Sequence, residues 1–319
     1  MPKLMRLAIL DDYQGVTLAL GPWEKLPHIE TTVFRDTLHD QDALVARLAP
    51  FDAILAMRER TPFPAALLER LPNLKLLITT GERNRGIDAA ACAARGITFS
   101  GTPSFGAPTV DLTWGLILAL ARGIPGQQDA LRAGRWQTEV GVGLQGRTLG
   151  LLGLGKLGQK VAKVGQAFGM KTIAWSQNLT AEAAAAHGVT RVEKAELFSG
   201  ADVLSIHLIL SERSRGLVGA AELALMKPDA FVVNTSRGPI IDQAALIAAL
   251  REGRIAGAGI DVYDIEPLPM DHPLLSAPNT VLTPHLGYVT QENYRSYFAG
   301  AVEAIQAYEA GSPIRVITG

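Results

Sequence analysis

The chain has 319 residues, 48% of them hydrophobic, with 30 basic and 31 acidic side chains and a formal net charge of −1. That length exceeds one ordinary hydrophobic core, so two domains of roughly 100–200 residues each are expected. Neither sign of charge forms a long block, which argues against a nucleic-acid or anionic-membrane surface, and the single cysteine, Cys92, excludes an internal disulfide or a cysteine-based zinc site and suits a reducing compartment.

The N-terminal stretch MPKLMRLAILDDY is apolar for only a few residues before Asp11 and Asp12. It is too short for a signal peptide or a membrane span, so a cytoplasmic location is expected. Apolar runs rich in Ile, Leu and Val then alternate with Ala-rich segments of helical period along the whole chain, which predicts βα repeats, parallel sheets and an α/β fold. In chain order, strands are expected near Arg6–Leu10, Thr31–Phe34, Ala53–Ala56, Lys75–Thr79 and Ile97–Phe99, with short helices between them. The segment SGTPSFGAP, Ser100 to Pro108, is dense in Gly, Pro and Ser and reads as a hinge before a long apolar helix from Thr109 to about Arg122. A second series starts at Thr148, with strands near Lys171–Trp175, Val203–Ile206, Phe231–Asn234 and Ala258–Val262, and a last helix spans roughly Gln291–Ala310.

The sequence TLGLLGLGKLGQKVAKVGQAFG sets Gly153, Gly155 and Gly158 in a GxGxxG, with Lys156 and Leu157 inside it, after a strand and at the opening of an amphipathic helix. In that context the first glycine allows a tight turn, the second lets a pyrophosphate approach the backbone, and the third lets helix pack on strand. Dinucleotide binding is therefore favoured over an ordinary glycine-rich turn. The carboxylate that would bind the ribose hydroxyls of NAD about 20 residues on is absent, because the next strand ends in Ser176, Gln177 and Asn178. A 2′-phosphate meets no repulsion there, yet no Arg or Lys sits beside Ser176 to attract one, so NAD and NADP both stay open. His207 follows a strand in the same half, where lining the nucleotide cleft and simple packing fit the sequence equally well.

The glycine loop, SIHLILSERSRGLV, MKPDAFVVNTSRGPIIDQAALIAALREGRIAGAGIDVYDIEPLP and DHPLLSAPNTVLTPHLGYVT together resemble the D-isomer-specific 2-hydroxyacid dehydrogenase family over nearly the whole chain. The resemblance implies two doubly wound parallel-sheet domains, a Rossmann cofactor domain over 104–289 and a flavodoxin-like substrate domain from 1–103 plus 290–319, with the active site in the cleft between them. It also implies a homodimer built mainly on the cofactor domain, and a small 2-keto or 2-hydroxy acid as substrate. By the same resemblance Arg237 in NTSRG anchors the substrate's carboxylate and keto oxygen, His285 in TPHLG is the acid/base, and Glu266 in DIEP orients that histidine. Asp261 in GIDVY matches the residue holding the nicotinamide amide, and Thr235 lies where the strand end lines the nicotinamide.

Those assignments suit the chemistry. Reduction of a 2-keto acid needs a hydride at C2, a proton for the nascent alkoxide and a cation for the carboxylate; a histidine can exchange the proton near neutral pH, and the guanidinium fork matches a planar anion. Taken alone, an arginine before glycine can neutralise a strand-end carbonyl, and a histidine after proline can be a packed core residue. Together, just past predicted strand ends, they mark the edge where open α/β sheets bind ligands. The remaining histidines, His28, His39, His187 and His272, share no metal-ligand spacing with His207, and no metal is expected.

Two departures from the family pattern bear on the substrate. The loop TTGERNRGIDAA keeps Gly81 and the Ile87–Asp88 pair, but Glu82 is followed by Arg83 where a second glycine is usual. With Arg58 of AMRERT just after a strand, it suggests a second-anion site, against which surface arginines are an equal reading. Tyr288 after Gly287 puts a phenol beside His285, able to narrow the pocket or donate to a substrate oxygen. Within this class, glyoxylate or hydroxypyruvate reductase and phosphoglycerate dehydrogenase activities fit. Glu266 disfavours a formate-type enzyme, which pairs its histidine with glutamine. An NAD(H)-sensing scaffold or corepressor is the alternative from another class, disfavoured because the chain ends at ITG directly after its last helix.

Overall fold

The computed structural model describes residues 5–318, so the start of the N-terminal stretch and the final residue lie outside the described residues. The chain divides into two compact units, one running through Phe105 and rejoined by the segment from Thr290, the other Gly106–Val289. Both division points lie within two residues of a helix start, one of them inside the Gly- and Pro-rich stretch 100–108.

In the first unit five strands, β1 (Arg6–Ile9), β2 (Glu30–Val33), β3 (Ala53–Ala56), β4 (Leu76–Thr79) and β5 (Thr98–Gly101), pair in parallel in the order β2-β1-β3-β4-β5. β3 and β4 are buried at every position, as expected of central parallel strands covered on both faces, and this explains why their sequences are unbroken apolar runs. The last helix, Gln291–Glu309, buries Tyr294, Tyr297 and Phe298 in this unit, and the Trp23 and Phe298 rings lie 6.2 Å apart. Beyond it the chain covers the β5 edge: Val316 bridges Ser100 antiparallel, and the Ile317 N–H donates to the Phe99 carbonyl at 2.7 Å. Covering an edge in this way removes a row of unpaired backbone groups.

The second unit holds β6 (Thr148–Leu152), β7 (Lys171–Trp175), β8 (Thr190–Arg191), β9 (Val203–Ile206), β10 (Phe231–Asn234), β11 (Gly257–Ile260) and β12 (Thr280–Leu282). They pair in parallel in the order β12-β11-β10-β9-β6-β7-β8. Side chains alternate between two cores: Val232 joins Leu204, Leu246 and Phe198 on one face, while Val233 joins Trp114, Ile117 and Val161 on the other. β8 and β12 are two and three residues long, too short to show a period-2 pattern, and lie outside the strands expected from sequence.

Three of the boundaries that differ from expectation have a plain physical reason. The long apolar helix begins at Ala107, two residues early, because Pro108 sits in its first turn, where the missing N–H removes no helix hydrogen bond. β5 runs on to Gly101, whose N–H donates to the Arg315 carbonyl of the returning chain at 3.0 Å. β11 spans Gly257–Ile260, where both glycines let the 107–121 helix close on the strand: a Cβ on Gly259 would lie 3.1 Å from that of Leu116. Among the described residues no helix is long and apolar enough to cross a membrane.

Phe198 is fully buried in the second unit's core. Its replacement by alanine is expected to cost about 3–5 kcal/mol, read as a lower urea midpoint at unchanged m-value.

Candidate active site

In the second unit the chain runs from β6 outward to β7 and β8, then crosses back to place β9 on the other side of β6. Loops leaving the carboxyl ends of β6 and β9 therefore diverge, and such a switch point is where open α/β sheets hold ligands. The glycine loop occupies it. Gly153 has φ +102°, and a Cβ there would stand 2.8 Å from the His207 carbonyl oxygen; a Cβ on Gly158 would stand 2.3 Å from the Gly153 oxygen. Those two glycines are required by backbone conformation and by packing. Gly155 differs: a Cβ there meets nothing within 4 Å. It is the N-cap of the helix Lys156–Ala167 and opens onto vacant space, which fits a pyrophosphate approaching the helix N-terminus. Lys156 is exposed and Leu157 half-buried.

His207 stands one residue past β9, its N–H donating to the Leu152 carbonyl at 2.8 Å. Its Nε2 lies 2.9 Å from Ser205 Oγ, and its buried Nδ1 finds no hydrogen-bond partner among the described residues. Burial pushes its pKa down to about 4, so the ring is neutral near pH 7. An orphaned polar atom beside the glycine loop also fits a bound group. Ser176, one residue past β7, is half-buried, and its carbonyl accepts from the Leu179 N–H at 3.1 Å.

Beyond β10, Asn234 ties the next turn, accepting from the Ser236 N–H at 3.0 Å and donating to the Arg237 carbonyl at 2.9 Å. Thr235 is buried, its Oγ1 2.8 Å from that of Thr113. The half-buried Arg237 donates from Nη1 to the Ser236 carbonyl at 2.7 Å. A Cβ on Gly238 would fall 2.2 Å from the Tyr263 carbonyl carbon, so glycine here lets the loops after β10 and β11 close on one another.

After β11, Glu266 accepts the Tyr263 N–H on Oε1 at 2.9 Å and meets His285 Nδ1 with Oε2 at 2.6 Å. An ionised carboxylate only accepts, so the ring proton sits on Nδ1. His285 itself has φ +53°, an uncommon conformation for a residue with a Cβ. Asp261 is fully buried and accepts from Thr283 Oγ1, Leu286 N–H and Gly287 N–H. Burial raises its pKa above the ordinary carboxylate range, against the lowering effect of those bonds. Tyr288 is buried edge-on to the imidazole, ring centroids 5.3 Å apart.

In the first unit Arg58 follows β3 with φ +53°, and Gly81 follows β4 with φ +93°. The Arg58 guanidinium lies over Gly81, where a Cβ would fall 1.9 Å from Nη1, and it reaches the Glu59 carboxylate at 3.8 Å and the Tyr297 hydroxyl. Glu82 and Arg83 are exposed on the loop that Asn84 pins, its amide donating to Thr79 Oγ1 at 2.9 Å and accepting the Gly86 N–H at 2.8 Å.

Each unit thus groups its own part of the residues singled out from sequence: Arg58 with Gly81 in one; Arg237, Glu266, His285, Asp261 and Tyr288, with the glycine loop and His207, along one sheet edge in the other. Sequence reasoning passed over Ser205, Asn84, Thr113, Tyr263 and Thr283. For Tyr263 and Thr283 a signal was present, a hydroxyl two residues after Asp261 and two before His285.

A glycine loop at the switch point, an Arg and a Glu–His pair on neighbouring strand ends define the layout of a dinucleotide-dependent oxidoreductase. Residues 114–287 match the family model described as D-isomer specific 2-hydroxyacid dehydrogenase, NAD binding domain. The chain is 38% identical over 255 residues to a glyoxylate reductase of Aeropyrum pernix, covering 77% of this chain and 76% of that one. It is 37% identical over 272 residues to a hydroxypyruvate reductase of Thermotoga maritima, covering 83% and 87%. The structure of a putative D-3-phosphoglycerate dehydrogenase oxidoreductase from Ralstonia solanacearum superposes with a TM-score of 0.93 at 37% identity, over 98% of this chain and 96% of that one. The chain belongs to the D-isomer specific 2-hydroxyacid dehydrogenase family. It is an NAD(P)-linked hydroxyacid oxidoreductase, as its sequence motifs lead one to expect.

Two outcomes test the cofactor edge. Gly155→Asp sets a carboxylate in the open space at the helix N-terminus and is expected to abolish binding of reduced cofactor, followed by nicotinamide fluorescence, while the circular dichroism spectrum stays unchanged. For His207, the folded pKa of about 4 lies below the unfolded value of about 6.5. The unfolded chain therefore takes up the proton first, and the stability that neutral His207 contributes is complete above pH 6.5 and lost as pH falls towards 4. The urea midpoint of His207→Asn should fall less than that of the wild type between pH 7 and pH 5.

Proposed function

We propose that this chain interconverts small 2-keto acids and their D-2-hydroxy acids, with glyoxylate or hydroxypyruvate as substrate. The observation that carries the reading is the 2.6 Å contact between Glu266 Oε2 and His285 Nδ1. With Nδ1 engaged, Nε2 is the nitrogen left to give a proton to the substrate oxygen in reduction and to take it back in oxidation. Glu266 holds the ring's tautomer and orientation and stabilises the imidazolium. Arg237 anchors the substrate carboxylate and polarises its carbonyl, and Tyr288 narrows the pocket on the far side of the imidazole.

The bound nicotinamide supplies or accepts the hydride. Gly153, Gly155, Lys156, Leu157 and Gly158 would hold its pyrophosphate, Ser176 would face the adenosine ribose, and His207, Thr235 and Asp261 belong to the same cofactor edge. Ser176 in place of a carboxylate supports use of NADPH as well as NADH.

In the first unit, Arg58, Gly81, Glu82 and Arg83 form the substrate-recognition loops. Arg58 over Gly81 supports a second reading, a substrate with a second anionic group such as a phosphorylated keto acid. We place the protein in the cytoplasm, where the buried thiol of Cys92, its pKa pushed up to about 11 by burial, stays reduced. We also propose a homodimer built on the second unit. Ile124, Leu131, Trp136 and Val140 are 51, 58, 76 and 99% exposed on the helix Ile124–Arg132 and the segment after it, four apolar side chains that a second copy would cover.

The test is loss of reduced-nicotinamide absorbance with NADH and NADPH in parallel, against glyoxylate, hydroxypyruvate, pyruvate, 2-ketoglutarate and a phosphorylated keto acid. Turnover of glyoxylate or hydroxypyruvate is expected. A preference for the phosphorylated acid would favour the second reading, and no turnover of any of them by cofactor-binding protein would overturn both. His285→Ala should lower kcat by about 10²–10⁴-fold and leave cofactor affinity within about twofold.

A further inference from the structure

Arg58 has φ +53° and stands two residues past β3, in a conformation that persists only where its surroundings over-determine it. Its N–H donates to Thr80 Oγ1 at 2.9 Å, and its carbonyl accepts from Asn84 Nδ2. Those bonds fix where the side chain begins, and the Tyr297 hydroxyl receives its far end. Tyr297 is 1% exposed and lies four residues after Asn293, which is 0% exposed, so the two share one face of the helix Gln291–Glu309. Asn293 Nδ2 donates to the Tyr297 hydroxyl at 2.9 Å, and Asn293 Oδ1 accepts the Phe105 N–H at 3.1 Å. The phenol oxygen has two lone pairs, enough for both Arg58 and Asn293, and a flipped carboxamide would set its NH2 against the Phe105 N–H, donor against donor. Phe105 is the last residue of the first unit before the chain passes to the second.

We propose that Tyr297, backed by Asn293, is the positioning residue for Arg58: it holds the guanidinium where an anionic group of the substrate meets it, and through Asn293 it ties that guanidinium to the backbone at which the chain leaves the first unit. The inference rests on the part in substrate recognition given above to Arg58. The guanidinium also lies 3.4 Å from the Thr80 carbonyl and 3.8 Å from Glu59, contacts longer than a normal hydrogen bond. Arg60 provides the contrast. It meets the Tyr294 hydroxyl on the same helix, but its Nη1 also donates to the Asp11 carbonyl at 2.7 Å and its guanidinium lies 4.3 Å over the Tyr13 ring, so it is anchored apart from that tyrosine.

Tyr297→Phe, Arg58→Ala and the double variant test the proposal in the full chain, with the best keto acid and reduced cofactor, and Tyr294→Phe serves as control. Losing a hydrogen bond to a charged group should raise KM about tenfold in Tyr297→Phe and leave kcat within about threefold. Arg58→Ala should raise KM at least as much, and in its background Tyr297→Phe should add nothing, because the two act through one interaction. Tyr294→Phe should leave KM within about twofold of the wild type. If the effects of Tyr297→Phe and Arg58→Ala multiply, or if Tyr294→Phe raises KM as much, Tyr297 does not act through Arg58 and the proposal is wrong. Hydrogen exchange at the Phe105 amide, read by NMR, follows the other end of the line: Tyr297→Phe and Asn293→Ala should each speed it about tenfold, and an unchanged rate in Tyr297→Phe overturns the link. Should Tyr297→Phe fail to fold, Asn293→Ala decides through KM, where no change sinks the idea. A wild type inactive on every keto acid would end the functional reading alone, and exchange would then settle the positioning role: Arg58→Ala should speed it in the wild-type background and not in Tyr297→Phe, whereas no effect in either refutes the proposal.

Discussion

Parallel pairing of β6 with β9 governs what the second unit can do. Seven strands run the same way, so every loop that leaves a carboxyl end emerges on one edge, and the chain's reversal of direction at β6 parts two of those loops. Gly153 to Gly158, His207, Thr235 to Arg237, Asp261 to Glu266 and Thr283 to Tyr288 all follow such ends. Leu152 and Ile206, far apart in sequence, become neighbours through strand order alone. The helix N-terminus at Gly155 lies at the same edge, so the positive end of a helix dipole and the Glu266–His285 pair share one boundary of the sheet.

That edge concentrates polar groups where water is scarce, and each has to be satisfied. A buried donor or acceptor without a partner costs about 1–3 kcal/mol. The loops meet this demand with short, local ties: Asn234 closes the turn that carries Arg237, Tyr263 gives its N–H to Glu266, and Asp261 absorbs three donors around His285. These ties allow a histidine to be held at a positive φ, because the strain of that conformation is offset by the bonds it permits. His207 Nδ1 is an exception, a buried nitrogen without a partner among the described residues, at the place where the glycine loop leaves vacant space.

The first unit repeats the device with different residues. Asp11, Arg58 and Gly81 follow β1, β3 and β4, and all three have positive φ. Burial raises the Asp11 pKa, while hydrogen bonds from Thr37 and Thr61 hold its carboxylate in place and lower it. Arg58 is folded back over Gly81 towards Glu59 and Tyr297. The exposed Arg83 lies on a loop whose base is fixed by Asn84.

The sequence by itself determined the α/β class, ten of the strands to within a few residues, the glycine loop and the family. All of these are local patterns: apolar periodicity, turn chemistry, or short motifs whose residue types are dictated by one job. It did not reveal β8 and β12, whose two and three residues are set by pairing with a neighbour rather than by any run of their own. Nor did it show that Asp261 is enclosed, that Tyr263 bonds to the Thr283 carbonyl, or that Tyr288 packs edge-on to His285. Those facts depend on which strand lies beside which. β11 and β12 are neighbours in the sheet, and only that pairing brings the loop after one within hydrogen-bond reach of the loop after the other.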